Sequence, residues 1–267
     1  MGVHCAKKIV LKSQDEFHAI DRIVTGAAFS VQNSMGRFFD EKIYQSVLGE
    51  RCEAAELSTT REVEVRVSYK EYLKIYKLDL LVDNGVIYEL KTVEALNALH
   101  KNQLLNYLFL LGLHHGKLLN FRASSVECEY VSTTLTFQDR LDFKMITSGF
   151  FEKSDRCRLF QTSLENLLGE WGTRLDKNLY SDALTHFLGG VDTVVSSVDV
   201  YDKQRVVGSQ KMHLLDQKTA FHLSSVRDAQ RSYENNIRHL ISHTTLSAVQ
   251  WVNMSGNSIT LKTLLPK

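Results

Sequence analysis

The spacing of apolar residues changes from a helical to a strand-like period near residue 60. Residues 14–57 carry apolar side chains at an approximately helical spacing, and Gly36 is expected to divide this region into two helices. Val63, Val65 and Val67 then alternate with charged and polar residues, which is typical of a half-buried strand. The chain is therefore expected to begin with helices and to continue into a sheet.

Further along, the pattern predicts two more strands, a helix and a return to strands. Strands are expected at Ile75–Val82 and Val86–Leu90, a helix at Val93–Leu113, a strand at Lys117–Phe121 and a weak edge strand at Glu127–Leu135. Helix, three strands, helix and strand is an α/β order in which one sheet carries helices.

The second half of the chain resembles the first when the sequence is shifted by 133 positions without gaps. Upstream, Gly36–Leu48 resembles Gly172–Leu184 at a slightly larger shift. We expect two tandem copies, residues 1–135 and 136–267, arranged as a pseudo-dimer, with chance similarity of two α/β segments as the alternative. The aligned identities are Val65/Val198, Val67/Val200, Lys70/Lys203, Leu81/Leu214, Asp83/Asp216, Leu90/Leu223, Val93/Val226, Asn102/Asn235, Leu113/Leu246 and Asn120/Asn253.

Composition narrows the class of protein without naming a partner. The formal net charge is +1, so binding of nucleic acid would need a local basic patch. The four cysteines form no CxxC pair, which excludes zinc-finger spacing. No apolar run is long enough to span a bilayer and no secretory signal is evident, so a soluble cytoplasmic protein without a membrane partner is expected.

Three charged residues stand in otherwise apolar strands: Asp79, Glu89 and Lys91. Glu89 and Lys91 are two positions apart and point to the same face. A three-residue loop, residues 83–85, would place Asp79 opposite Glu89, whereas a two-residue loop would place it on the other face. Gly85 is expected to take the left-handed position that ends such a loop. The hairpin therefore permits a facing pair of carboxylates.

Two carboxylates this close need a cation or a shared proton between them. A hard divalent ion with oxygen ligands, Mg²⁺ most simply and Mn²⁺ as a second option, would satisfy both. Lys91 can position an attacking water or neutralise developing charge. The alternative is an ordinary charged face on a hairpin, but the apolar neighbours of these residues favour a functional site.

These residues resemble the PD-(D/E)XK nuclease superfamily, with Asp79 as the motif aspartate and Glu89-Leu90-Lys91 as (D/E)XK. Residues 20–122 are similar to the GxxExxY protein family, although Phe38 stands where the family has its glycine. The resemblance implies a restriction-endonuclease-like αβββαβ core and a metal-dependent nuclease. The matching segments are Glu41–Tyr44, Tyr69–Lys70, Asp79–Val82, Glu89–Lys91, His100–Leu108 and Leu118–Phe121.

The same resemblance implies further site residues. Glu41 would join Asp79 and Glu89 as a metal ligand, although by itself it is typical of a solvated helix residue. Gln103 and Tyr107, four apart on one helix face, would support the site and contact nucleic acid, unless they only pack the helix on the sheet.

Basic residues are candidates for phosphate contacts, Lys70 and Lys101 above all. His100 stays outside the catalytic set, because a lone histidine is more often a polar rim residue than a ligand.

The second copy lacks these residues at the shifted positions, where Met212, His222 and Ser224 replace Asp79, Glu89 and Lys91. The sequence therefore predicts a nuclease site in the first half only, acting on nucleic acid, with DNA favoured over RNA. The alternatives are a nucleic-acid-binding module without catalysis, or a protein-interaction module that uses the second half or forms homo-oligomers.

Overall fold

A computed structural model describes residues 2–267 and divides the chain into two compact units, Met1–Phe137 and Gln138–Lys267. Each unit is built on one six-stranded mixed sheet with helices packed against it. The α/β class expected from the sequence is confirmed. Among the described residues, no helix is both long enough and apolar enough to cross a membrane.

The first unit follows the predicted order of elements and adds a strand at its start. The additional strand β1 pairs along the edge of β2 and was missed because its four residues are too short a run to distinguish a strand by alternation. The elements are β1 (Gly2–Cys5), α1 (Gln14–Met35), α2 (Glu41–Ala54), β2 (Thr59–Tyr69), β3 (Tyr72–Val82), β4 (Val86–Lys91), α3 (Ala98–Leu111), β5 (His115–Asn120) and β6 (Glu127–Ser132).

The two N-terminal helices are separated where the sequence predicted. Ser13 caps α1 through a capping box, in which Ser13 Oγ accepts from the Glu16 N–H and Glu16 accepts from the Ser13 N–H. Gly36 ends the helix at φ 80°, a conformation that favours glycine. The break leaves a short turn before Glu41, the first residue of α2.

Helix α3 begins later than the predicted start at Val93. The Val93 N–H and C=O are bound by the side chain of Asn120, at 3.1 and 2.8 Å, so they do not enter a helix. Asn97 then forms a capping box with His100, which starts the helix at Ala98. The spacing of apolar residues predicted too early a start for α3, because a local pattern contains no information on a hydrogen bond to the distant Asn120.

The sheet of the first unit has the order β1-β2-β3-β4-β5-β6. β4 and β5 are parallel and the other neighbouring strands are antiparallel. The edge strand β6 ends at Ser132, before the predicted Leu135. The parallel pair lies between β3 and the edge strand β6, and β4 is buried along its whole length.

The β3–β4 hairpin has the predicted three-residue loop, residues 83–85, but not the predicted turn conformation. The left-handed residues are Asp83 (φ 46°) and Asn84 (φ 55°), and the expectation that Gly85 has a positive φ is wrong. Gly85 is required for a different reason: a Cβ there would lie 2.2 Å from the carbonyl oxygen of Val10. A close approach of the N-terminal segment therefore explains the glycine.

The core of the first unit fixes α1 and α2 on one face of the sheet. Phe17 and Val24 of α1, Leu48 of α2 and Leu80 and Tyr88 of the sheet belong to one cluster of buried residues. Burying such a stripe of side chains is the main source of stability for amphipathic helices. The packing places the start of α2 near the hairpin.

The second unit has its own sheet, in the order β7-β12-β11-β10-β9-β8. Its elements, preceded by α4 (Phe137–Leu141) at the boundary, are β7 (Lys144–Gly149), α5 (Asp155–Trp171), α6 (Lys177–Phe187), α7 (Val191–Val194), β8 (Val195–Asp202), β9 (Arg205–Asp216), β10 (Thr219–Ser224), α8 (Gln230–Ser242), β11 (Ala248–Ser255) and β12 (Ser258–Leu264).

Apart from β1, β7 and the short helix α7, the two units share one connectivity. In each, two long helices precede three antiparallel strands, a helix, a strand parallel to the third, and a last antiparallel strand. Ile87 pairs with Gly116 in the first unit. Ala220, which lies 133 positions after Ile87, pairs with Val249, which lies 133 positions after Gly116. The register of the parallel strands therefore follows the sequence shift.

A side-chain hydrogen-bond pair also recurs at shifted positions. Asn120 binds the N–H and C=O of Val93 in the first unit. Asn253 binds the N–H and C=O of Val226 at 2.8 and 2.9 Å in the second. In both units an asparagine on one parallel strand, β5 or β11, binds the segment that follows the other parallel strand, β4 or β10. We call this pair of hydrogen bonds the asparagine clamp.

Candidate active site

Asp79 and Glu89 lie on adjacent strands where the β3–β4 pairing ends. Leu80 pairs with Tyr88, so Asp79 and Glu89 are the next opposed positions, as the three-residue loop predicted. Asp79 Oδ2 accepts a hydrogen bond from the Leu90 N–H at 2.8 Å. A side chain therefore takes the place of a backbone partner between the strands and brings the Asp79 carboxylate to β4.

Lys91 lies between the two carboxylates. Its Nζ is 2.9 Å from Glu89 Oε1 and 3.7 Å from Asp79 Oδ2, and it donates to the Leu90 carbonyl at 2.8 Å. Burial by itself lowers the pKa of Lys91, but the charges of Glu89 and Asp79 outweigh it and the pKa is raised. The lysine is therefore held as a cation against two acids.

Glu89 is the most buried carboxylate of the site, with 1% of its surface exposed. Burial, and next the charge of Asp79, raise its pKa to about 8, although Lys91 acts in the opposite direction. Burial also raises the pKa of Asp79. Within residues 2–267, no hydrogen-bond partner reaches Glu89 Oε2. An unsatisfied buried carboxylate oxygen costs free energy, so this atom is suited to a ligand.

Gln103 of α3 orients the other oxygen of Glu89. Its Nε2 donates to Glu89 Oε1 at 2.5 Å and to the hydroxyl of Tyr107 at 3.2 Å. Tyr107 is only 5% exposed, and its ring packs edge-on against Tyr76. The expected contact of Tyr107 with nucleic acid is not supported, because a buried ring has no face to offer a base. Its hydroxyl instead holds Gln103.

Glu41 reaches the same region from the first turn of α2. Burial raises its pKa, Lys91 lowers it, and Asp79 and Glu62 raise it, so its carboxyl lies in their electrostatic field. Gln45, one turn later, donates to the Asp79 carbonyl and, at 3.2 Å, to Glu62 Oε1. Sequence reasoning missed Gln45 and Glu62, since Glu62 occupies a polar position of an alternating strand and nothing marks it as different.

The donors at this site are carboxylate oxygens, which suit a hard divalent cation. Asp79 and Glu89 are adjacent, and the open oxygen of Glu89 fits such an ion. Among residues 2–267, however, no three His, Cys, Asp or Glu side chains are grouped so that they could hold a metal together. The predicted set of Glu41, Asp79 and Glu89 is therefore not assembled as three ligands in this structure.

Lys70, predicted to contact phosphate, lies far from these carboxylates. It occupies the β2–β3 turn, and its Nζ lies 5.3 Å from the centroid of the Tyr69 ring. Seven residues of extended strand separate Tyr72 from Asp79, a span of roughly 23 Å. Lys70 is therefore remote from the carboxylates, and its contact with the phosphates of nucleic acid stays a prediction.

Lys101, the other predicted phosphate contact, lies on α3 and forms an ion pair with Glu129 of β6. Both line a cavity of about 430 Å³, to which Glu127 also contributes. Two glutamates at this cavity oppose an approaching phosphate. The ion pair with Glu129 weighs against a phosphate contact of Lys101, which stays a prediction.

An exposed aromatic residue with two arginines lies nearer to the site. Phe38, in the turn before α2, is 74% exposed. The guanidinium carbons of Arg37 and Arg122 are 5.3 and 5.6 Å from the centroid of its ring. Arg122 directly follows Phe121, whose N–H donates to the Lys91 carbonyl at 2.8 Å. Aromatic and guanidinium groups together are typical of surfaces that bind single-stranded nucleic acid.

The corresponding positions of the second unit carry a neutral network. Ser224, at the position of Lys91, donates to Asn253 at 2.9 Å and accepts from the Trp251 indole at 2.8 Å. His222, at the position of Glu89, shares a 2.7 Å hydrogen bond with the Tyr233 hydroxyl. These residues form hydrogen bonds among themselves and present no pair of carboxylates.

The first unit has a mixed sheet in which the pairing of β3 with β4 ends next to Asp79, Glu89 and Lys91. This arrangement is consistent with the PD-(D/E)XK fold. The family model for the PD-(D/E)XK nuclease superfamily matches residues 18–131, which include Asp79, Glu89 and Lys91. This match supports placing the first unit in that superfamily. Comparisons with curated proteins and with solved structures find no match for the chain.

Proposed function

We propose that this protein is a metal-dependent nuclease that hydrolyses phosphodiester bonds, with its catalytic site in the first unit. The observation that carries the proposal is the buried Glu89, whose open Oε2 lies in a site shared with Asp79 and Lys91. Ionisable groups buried without full partners are costly and are concentrated at functional sites. Within the superfamily, the matching motifs favour the GxxExxY family.

Each residue has a distinct part in the proposed chemistry. Asp79 and Glu89, with Glu41 as a third donor, would hold Mg²⁺ or Mn²⁺. When bound, such a cation lowers the pKa of a water ligand and stabilises charge on the phosphoryl oxygens. Lys91 donates to the attacking water or to a phosphate oxygen, and Gln103 keeps Glu89 in place.

Nucleic acid would approach over Phe38, Arg37 and Arg122 rather than over Lys70 and Lys101. The ring of Phe38 can stack on an unpaired base, and the two guanidinium groups can neutralise the adjoining phosphates. We retain DNA over RNA as the proposed substrate.

We also propose that residues 136–267 are a divergent copy of residues 1–135. The common connectivity, the matching strand register and the repeated asparagine clamp support a duplication. In this reading the second copy kept its packing and lost the acidic residues. A pseudo-dimeric arrangement of the copies stays a prediction.

The test is a cleavage assay on the full chain with labelled single- and double-stranded DNA and RNA, in Mg²⁺, in Mn²⁺ and in EDTA. We expect metal-dependent cleavage that falls by about 100-fold or more in Asp79→Asn and Glu89→Gln. Met212→Leu, at the position of the second unit that corresponds to Asp79, serves as the matched control and should cleave normally. Cleavage that is unchanged in the first-unit variants would overturn the proposal.

The second candidate is a nucleic-acid-binding module without catalysis. It is favoured by one observation, that Glu41, Asp79 and Glu89 do not come together as three metal donors. This candidate predicts salt-sensitive binding of DNA or RNA without products in any metal. Binding by fluorescence anisotropy, measured beside the cleavage assay, separates the two candidates.

A further inference from the structure

A cavity of about 180 Å³ in the second unit lies where α6 meets β9 and β10. It is smaller than the roughly 300–1,000 Å³ of pockets that hold drug-sized ligands, so a single small group suits it better than a nucleotide. The residues that line it are Lys177, Asn178, Ser181, His213, Phe221, His222 and Leu223.

This cavity occupies the place that the acidic site has in the first unit. Lys177 is the first residue of α6, as Glu41 is the first residue of α2. The turn before each helix is built alike, because Tyr180 donates to the Gly172 carbonyl as Tyr44 donates to that of Gly36.

At these corresponding positions the first unit carries acidic residues and the second unit carries basic ones. A lysine stands at the position of Glu41, and His222 stands at the position of Glu89. A second imidazole, His213, is added from β9. The first unit gathers acids that suit a cation, whereas the second gathers nitrogen donors that suit an anion.

Part of the donor set of the cavity is available to a ligand. Among residues 2–267, Lys177 forms no ion pair. The His222 ring stacks on Tyr233 and its Nε2 shares a 2.7 Å hydrogen bond with the Tyr233 hydroxyl, so Nδ1 is the ring nitrogen left for a ligand. Burial lowers the pKa of both histidines, and a neutral imidazole still donates one N–H. Two acids lie close by: Asp176, whose carboxylate caps the Asn178 N–H, and Asp182, which is exposed.

We propose that this cavity binds a phosphate group, held by Lys177, His213 and His222 with the hydroxyl of Ser181. The phosphate belongs either to the end of a nucleic-acid strand or to free inorganic phosphate, since the cavity chemistry is the same for both. The site is independent of catalysis in the first unit.

Titration calorimetry of the full chain with inorganic phosphate tests the site, in EDTA so that no divalent cation can recruit phosphate elsewhere. We expect saturable binding that weakens about fivefold or more in Lys177→Gln and in His222→Asn. Lys211→Gln, an exposed lysine of β9 outside the cavity, is the matched control and should bind as the wild type does. Thermal melting shows whether each variant is folded.

A second arm identifies the source of the phosphate. Oligodeoxynucleotides with a 5′-phosphate and with a 5′-hydroxyl are compared by fluorescence anisotropy, again in EDTA. A preference for the phosphorylated strand that Lys177→Gln removes assigns a strand end, and phosphate binding without this preference assigns the free ion. No phosphate binding, or equal binding in the wild type, Lys177→Gln and His222→Asn, overturns the proposal.

Discussion

Gln103 Nε2 donates to Oε1 of Glu89, while Oε2 of the same carboxylate has no partner among residues 2–267. One oxygen is therefore fixed by the protein and the other is open. Such supporting hydrogen bonds orient a ligand group and contribute to metal affinity.

Gln103→Leu should weaken activation by Mg²⁺ by about 10- to 100-fold, because Glu89 loses the donor that orients it. The measurement is cleavage rate against Mg²⁺ concentration, with direct metal binding by calorimetry beside it. Asn236→Leu, at the shifted position on α8, is the matched control. A normal Mg²⁺ dependence in Gln103→Leu would show that the glutamine only packs.

The metal-free protein should lose stability as the pH rises from about 5 to about 8. Burial raises the pKa of Glu89 to about 8 in the folded protein, from the ordinary glutamate value of 4.5. In this window the folded state retains a proton that the unfolded state releases, so ionisation favours unfolding. The loss is on the order of 3 kcal/mol.

Glu89→Gln removes this titration, so its free energy of unfolding should change less with pH and should exceed that of the wild type at pH 8. Urea unfolding in EDTA at several pH values measures it. Some slope should remain, since burial also raises the pKa of Asp79 and Glu41. Parallel pH profiles for the variant and the wild type would contradict the assignment to Glu89.

Phe38→Ala and Arg122→Gln should each weaken binding of single-stranded DNA, the former by about 1–3 kcal/mol if a base stacks on the ring. Binding is measured by anisotropy on the Glu89→Gln background, which prevents cleavage. Lys70→Gln at the far end of the β2–β3 hairpin should bind normally. An effect of Lys70→Gln as large as that of Phe38→Ala would restore the sequence-based assignment.

Gly85→Ala should destabilise the first unit by about 1–3 kcal/mol, because the new Cβ meets the Val10 carbonyl oxygen at 2.2 Å. Gly26→Ala, in the middle of α1 with nothing within 4 Å of the added Cβ, is the control and should stabilise by about 0.5–1 kcal/mol. Chemical denaturation measures both. A neutral Gly85→Ala would mean that the N-terminal segment moves aside without cost.

Asn120→Ala and Asn253→Ala should have similar costs, about 1–3 kcal/mol each, because each leaves the N–H and C=O of a valine without a partner. Two unfolding transitions, if the units melt separately, would assign each loss to its own unit. A loss in only one of the two variants would speak against equivalent clamps.

Residue patterns predicted most of the order of helices and strands in the first unit. Buried positions repeat with the period of the secondary structure, so a local pattern of apolar residues predicts the element. The alternating valines of β2 and the apolar runs of β3 and β4 are such patterns. Failures occurred where a distant residue decided the outcome. Asn120 kept Val93 out of α3, and Val10 explains Gly85.

The sequence by itself determined that Glu89 and Lys91 share one face of a strand, because the period of a strand is a local property. It allowed Asp79 to join them only if the loop has three residues. It also determined that the second half lacks these residues. Only the tertiary structure decided which side chains join them. Gln45, Glu62 and Gln103 come from other elements, and packing of α2 and α3 on the sheet sets their distances. Long-range packing likewise buried Tyr107 and kept Lys70 away, which a one-dimensional pattern cannot encode.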